Sequence, residues 1–148
     1  MAAGDIYTTD DLVVDEVTVK TNEDIELGEF VVDDGNGYLA ATAALAALSK
    51  PCVALEAHDY SETTNHKIRV LRRGVVEAQK KANSGDVFSG NKLMISSTAG
   101  ECQVFAAGDV TSTVTEATIE AAMLVNLGAF GEANANAATA DTTVKVRL

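Results

Sequence analysis

A chain of 148 residues is long enough to bury roughly 70% of its unfolded surface around one core. Its 47% hydrophobic content excludes wholesale disorder, and no apolar run approaches the ~20 residues a membrane-spanning helix needs. Twenty-two acidic against 11 basic side chains leave a formal charge of −11, which argues against nucleic acid as a partner because counterion-release binding needs clustered Lys and Arg. Aromatic residues are only 5% and Trp is absent, so the core is expected to be built from small and β-branched side chains, a composition that favours strands. The first residues carry acids where a secretory signal carries Lys or Arg, and no export segment is expected.

In chain order, residues 1–16 are polar and acidic with isolated apolar side chains and read as an N-terminal arm. Such an arm is either a tail that touches nothing or a segment that orders when Ile6, Tyr7, Leu12, Val13 and Val14 find a groove on a partner. A single β-rich domain is expected over 17–148. Alternation starts at Val17-Thr18-Val19-Lys20, a short strand, and Ile25 to Tyr38 reads as a hairpin with a Gly-Asn-Gly turn at 35–37. Residues 39–48 hold good helix formers and stop before Pro51, which fits one short helix or an Ala-rich loop. Cys52–Glu56 and Lys67–Leu71 read as strands joined by a polar link, with Val75–Ala78 continuing the meander after Gly74. Gly85–Phe105 repeats the order turn, strand, turn, strand. Thr113-Val114-Thr115-Glu116 has the spacing of a capping box, so 115–121 is expected to form one helical turn, followed by a strand over 122–127.

The second half echoes the first. Ala54-Leu55-Glu56-Ala57, a polar loop and Ile68–Leu71 resemble Ala129–Ala133, a polar loop and Val144–Leu148, at an offset of about 75 residues. Ile25–Glu29, Val87–Asn91 and Phe105–Asp109 share an apolar–x–x–Gly–polar turn. Two or three related hairpin units building one antiparallel barrel or sandwich, with at most one or two short helices, are the expected architecture.

Chemistry is sparse. His58 and His66 share one polar loop with Glu56, Asp59 and Glu62, but the spacing is not a recognised ligand pattern, and a solvated loop is the plainer reading. Cys52 and Cys102 read as two buried free thiols, a single disulfide being the alternative. Gly35-Asn36-Gly37 lacks the strand–loop–helix setting of a phosphate cradle. No enzyme, cofactor or metal site is expected.

The stretch from Gly74 through Gly85-Asp86-Val87 to Ile95 resembles half of a biotinyl or lipoyl carrier domain, but Ser96–Gly100 stands where the modified lysine belongs, which argues against that role. The order Lys50–Glu56, Val70–Glu77, Ser84-Gly85-Asp86…Gly90-Asn91-Lys92-Leu93 and Val144–Leu148 resembles the capsid cement, or head decoration, proteins of tailed bacteriophages and related archaeal viruses, over about residues 25–148. The resemblance implies a small domain of the β-tulip kind that sits as a homotrimer on the outer surface of the virion, bound to the major capsid protein at local threefold positions. It further implies stabilisation of the expanded shell without enzymatic activity, on a protein made in the host cytoplasm and contacting neither membrane nor nucleic acid. On that reading Ile6, Tyr7, Leu12 and Val13 supply part of the capsid contact, and Arg72 and Arg73 meet carboxylates on a neighbouring protomer or the shell. The runner-up is a β-barrel spike or binding module that contacts a receptor or glycan, which predicts an exposed aromatic or polar pocket that a Trp-free chain scarcely offers.

Overall fold

The computed structural model describes residues 2–6, 12–110 and 113–148. Its strands are β1 Val13–Thr18, β2 Phe30–Asp33, β3 Tyr38–Ala40, β4 Cys52–Ala54, β5 Lys67–Arg73, β6 Val75–Gln79, β7 Lys92–Ile95, β8 Cys102–Val104, β9 Phe130–Ala133 and β10 Thr143–Arg147. Helix α1, Ala43–Leu48, follows β3, and helix α2, Glu116–Leu127, follows β8. The strands form two five-stranded antiparallel sheets, ordered β1-β5-β4-β2-β3 and β6-β10-β9-β7-β8. The all-β expectation therefore holds.

The two sheets are one unit built twice. Each runs three strands, a helix and two strands, and each places its fifth strand between its first and fourth. A bridge from Val19 to Tyr38 joins the outer strands of the first sheet, and one from Lys80 to Cys102 does the same in the second, so each sheet curls into a small barrel. The hydrogen bonds repeat as well. Val19 N–H donates to His66 O as Lys80 N–H donates to Thr142 O, and the reciprocal pair Ile25–His58 recurs as Val87–Ala137. The echo of 54–71 in 129–148 is the fourth and fifth strands of each barrel, and the turns at Gly28 and Gly90 are also counterparts. The third turn of that set, at Gly108, lies after β8 and has no place in the repeat.

Three boundaries differ from the sequence reading. The expected strand at 17–20 starts earlier, at Val13, and pairs with β5, so residues 13–16 belong to the sheet rather than to an arm. Gly4–Ile6 also pair, with the outer edge of β6: Gly4 N–H donates to Glu77 O (2.6 Å) and Glu77 N–H to Asp5 O (2.9 Å). A strand edge satisfies backbone groups whatever the side chains offer, which apolar content alone does not register. Val75–Gln79 does not continue the first meander. At Gly74, with φ 133°, the chain leaves the first sheet and enters the second, a conformation only glycine adopts without strain.

The third difference is α2, where 122–127 is helix rather than strand. The cap is two residues along from the expected one: Thr115 Oγ1 accepts from Thr118 N–H, and Thr118 Oγ1 accepts from Thr115 N–H. With that nucleus in place, Ala121, Ala122, Met123 and Leu124 propagate the helix, since none of them loses much rotamer freedom there.

The main core holds residues from both barrels, including Phe30, Val53 and Leu71 from the first and Val76, Leu93, Phe130 and Val146 from the second. A smaller core of Val17, Ile25, Val31, Cys52, Ile68 and Val70 lies within barrel 1. Alternation along β5 produces the split, for Ile68 and Val70 enter the smaller core and Leu71 the main one.

Candidate functional site

β5 carries the basic cluster, and the fold spends it internally. Arg72 Nη2 donates to the Tyr38 hydroxyl at 2.7 Å, Arg72 Nε pairs with Asp15, and the guanidinium carbon lies 5.9 Å from the Tyr38 ring centroid. The Tyr38 hydroxyl and the Asp15 carboxylate hold the guanidinium pKa above its ordinary range. Arg69 Nε pairs with Glu56 at 2.7 Å, and the same carboxylate accepts from Arg69 N–H at 3.0 Å. Arg73 makes contacts of its own. Lys50, Pro51, Cys52, Arg72 and Arg73 line a cleft of about 250 Å³ at the end of β4 and β5. Sequence reasoning named Arg72 and Arg73 but missed Asp15 and Tyr38, whose closeness depends on β1 and β3 flanking the same barrel.

The apolar residues proposed for docking fall into two places. Ile6 bridges to Val76 at the edge of β6, while Leu12 and Val13 lie at the start of β1, with Leu12 against Gly74. Ile6, Leu12, Val13 and Val14 are all exposed. Tyr7 lies outside the described residues. A larger apolar surface, unseen while 122–127 read as a strand, runs along α2: Ile119, Met123 and Leu127 recur at helical spacing, and Leu124 adjoins them, all exposed. Ala43, Ala44, Met94, Ala121, Leu124 and Val125 line an apolar cleft of about 240 Å³ between α1, α2 and β7.

The histidine loop is ordered. His58, 4% exposed, is held to Ile25 by both backbone groups, and its Nε2 lies 3.2 Å from His66 Nδ1, one ring donating and the other accepting. Tyr60 stacks on His66 at 3.9 Å. Among the described residues no three His, Cys, Asp or Glu side chains gather as a metal cluster. Cys52 and Cys102 are unpaired and buried, and burial raises their thiol pKa values to about 11 and about 12, which leaves little thiolate at neutral pH. Among the described residues no helix is long and apolar enough to cross a membrane.

Carboxylates tie the loops down, which sets an expected response to acid. Thr139 donates to Asp86 through Oγ1 and N–H, Ser61 donates likewise to Asp59, Arg69 to Glu56, and Lys20 pairs with Asp34 at 2.5 Å. Each of these bonds favours the ionised form and lowers its carboxyl pKa, first through Thr139, Ser61, the Arg69 backbone and Lys20 respectively. Groups of this kind stabilise the fold above their unfolded values, 3.8 for Asp and 4.5 for Glu, and lose that contribution as pH falls through the lower folded values. Glu29 works in the opposite direction, because burial raises its pKa and its contribution fades as pH rises. With four such groups against one, the urea midpoint is expected to change little above pH 4.5 and to fall from there as the pH is lowered. A flat profile would show that these bonds do not contribute.

Compared with known proteins, the chain matches no family model and no curated sequence.

Proposed function

We propose that this chain is a structural virion protein that binds the outer surface of a viral head at local threefold positions, as a homotrimer, and stabilises the expanded capsid. The observation that carries the reading is the ordered run of motifs that resembles that of capsid decoration proteins. All four lie in strands or their turns: 50–56 around β4, 70–77 across the β5–β6 junction, 84–93 leading into β7, and 144–148 in β10. A β-rich fold with exposed apolar side chains at Leu12, Val13 and along α2 supports it, because such side chains gain by burial against a partner. The partner on this reading is the major capsid protein, with no catalytic role and no membrane or nucleic-acid contact. Many symmetric copies make a modest affinity per copy sufficient.

Co-sedimentation with expanded, undecorated heads, followed by cryo-EM, tests the reading. Saturable binding at three copies per local threefold position is expected, whereas a folded protein that ignores every head offered would overturn it. Deleting residues 2–14 would remove sheet contacts as well as surface, so Leu12→Asp is the cleaner probe of the docking residues and is expected to lower occupancy. Arg72→Glu is a poorer probe because it breaks the contacts to Asp15 and Tyr38.

A further inference from the structure

Helix α1 packs against its counterpart α2, but the hydrogen bonds between the two barrels join unlike faces. Barrel 1 offers the turn 26–30 with Ala41, and barrel 2 offers the outer edge of β6 with the β7–β8 turn. Gln79 N–H donates to Gly28 O (2.9 Å), Gln79 Nε2 to Leu27 O (3.0 Å), Phe30 N–H to Gly100 O (2.9 Å) and Gly100 N–H to Ala41 O (2.9 Å). Because the unit occurs twice, so does each face. The counterpart of 26–30 is 88–92 in barrel 2. The counterparts of Gln79 and the β7–β8 turn are Thr18 and the turn 34–37 in barrel 1, since Thr18 pairs with Lys67 as Gln79 pairs with Thr143.

A two-fold relation between the barrels would use both sets, and this joint uses one. Among the described residues no hydrogen bond links 88–92 to Thr18 or to 34–37. A Cβ built at Gly28 meets Ala3 at 2.5 Å, and one at Gly100 meets the Glu29 side chain at 2.8 Å. At Gly90 and Gly35, in the counterpart turns, a Cβ meets nothing within 4 Å. A contact between unlike faces of like units leaves one copy of each face unused, and such contacts propagate until a ring closes or a filament grows.

We propose that a second copy of this chain docks by repeating the internal contact, seating its Thr18 edge and 34–37 turn on the 88–92 turn of the first. The free faces suit each other. Phe88, 58% exposed, occupies the position of Glu26, whose carboxylate meets the Gln79 side chain internally, so Phe88 meets Thr18 of the second copy. Burial of an exposed phenylalanine supplies the apolar gain. Lys92, exposed and in the place of Phe30, brings a cation to a turn that holds Asp33, whose Oδ1 accepts from Gly35 and Gly37 N–H; Asp34 beside it is already paired with Lys20. The inference does not depend on the capsid reading, and no viral head enters its test.

The test is the mass of the full chain in solution over a range of concentration, by light scattering or sedimentation equilibrium. The wild-type mass is expected to rise beyond one chain, and Phe88→Asp and Thr18→Arg are each expected to remain monomeric. An equimolar mixture of the two variants is expected to form a species of two chains and nothing larger, because each retains one intact face. Lys92→Glu gives a second barrel-2 variant, and circular dichroism checks that each variant is folded. A wild-type protein that stays monomeric, association untouched by the variants, or a mixture that does not recover would each overturn the proposal.

Discussion

Lys80→Met is expected to lower the free energy of unfolding by about 3 kcal/mol. The Lys80 side chain is 1% exposed, and its ammonium donates to three backbone carbonyls, Thr139 O at 3.2 Å and Lys81 O and Asp141 O at 3.3 Å. Two of these belong to the loop between β9 and β10, so one charged group fastens that loop over the end of β6. Methionine retains the length and the apolar stem but removes every donor, leaving buried acceptors that cost roughly 1–3 kcal/mol each if nothing replaces the bond. The counterpart in barrel 1 is Val19, and there the corresponding loop is held by the His58–His66 contact and the stacked Tyr60 instead. An apolar residue is thus tolerated at this place in the unit only where other contacts close the loop. Urea unfolding measures the difference, and a loss under about 1 kcal/mol would mean that the carbonyls find other partners.

Phe30→Ala is expected to cost about 4 kcal/mol, a large share of the 5–15 kcal/mol that holds an ordinary domain together. Phe30 is fully buried in the shared core and meets Phe130 edge to face, with ring centroids 5.0 Å apart and planes at 63°. The side chain spans the joint between the barrels, and its own N–H is bonded to Gly100 O across that joint. Truncation therefore leaves a cavity where neither barrel can collapse without moving the other. A double-mutant cycle with Phe130→Ala is expected to show coupling of about 0.5–1.5 kcal/mol beyond the burial of the separate rings. Additive losses would mean that the two rings pack independently.

How much of this was legible in sequence differs from element to element. The hairpin at Gly35-Asn36-Gly37 was readable because turn chemistry is local. The echo of 54–71 in 129–148 was readable because both segments keep the alternation of a buried strand pair. The repeat reached further than that echo: six elements recur, but the β1–β6 and β3–β8 counterparts share pairing and position with too little residue identity to be seen. Residues 122–127 differ from the sequence reading because a short apolar run fits a buried strand and a helix equally well, and the cap that decides between them lies two residues from where its spacing places it. The basic cluster on β5 was visible, but its partners Asp15 and Tyr38 were not, because they lie far from it along the chain.

By itself the sequence determined the class of fold: small and β-branched residues in alternating runs, cut by glycine turns, bury their surface best as antiparallel sheets. It also marked β4–β5 and β9–β10 as related. Only the tertiary structure decided that Gly74 divides the chain into two barrels, that Gly4–Ile6 lie along β6, and that the hydrogen bonds between the barrels join unlike faces. Those choices depend on backbone groups finding partners across large sequence separations, and a backbone amide is the same in nearly every residue, so no side-chain pattern records where its partner is.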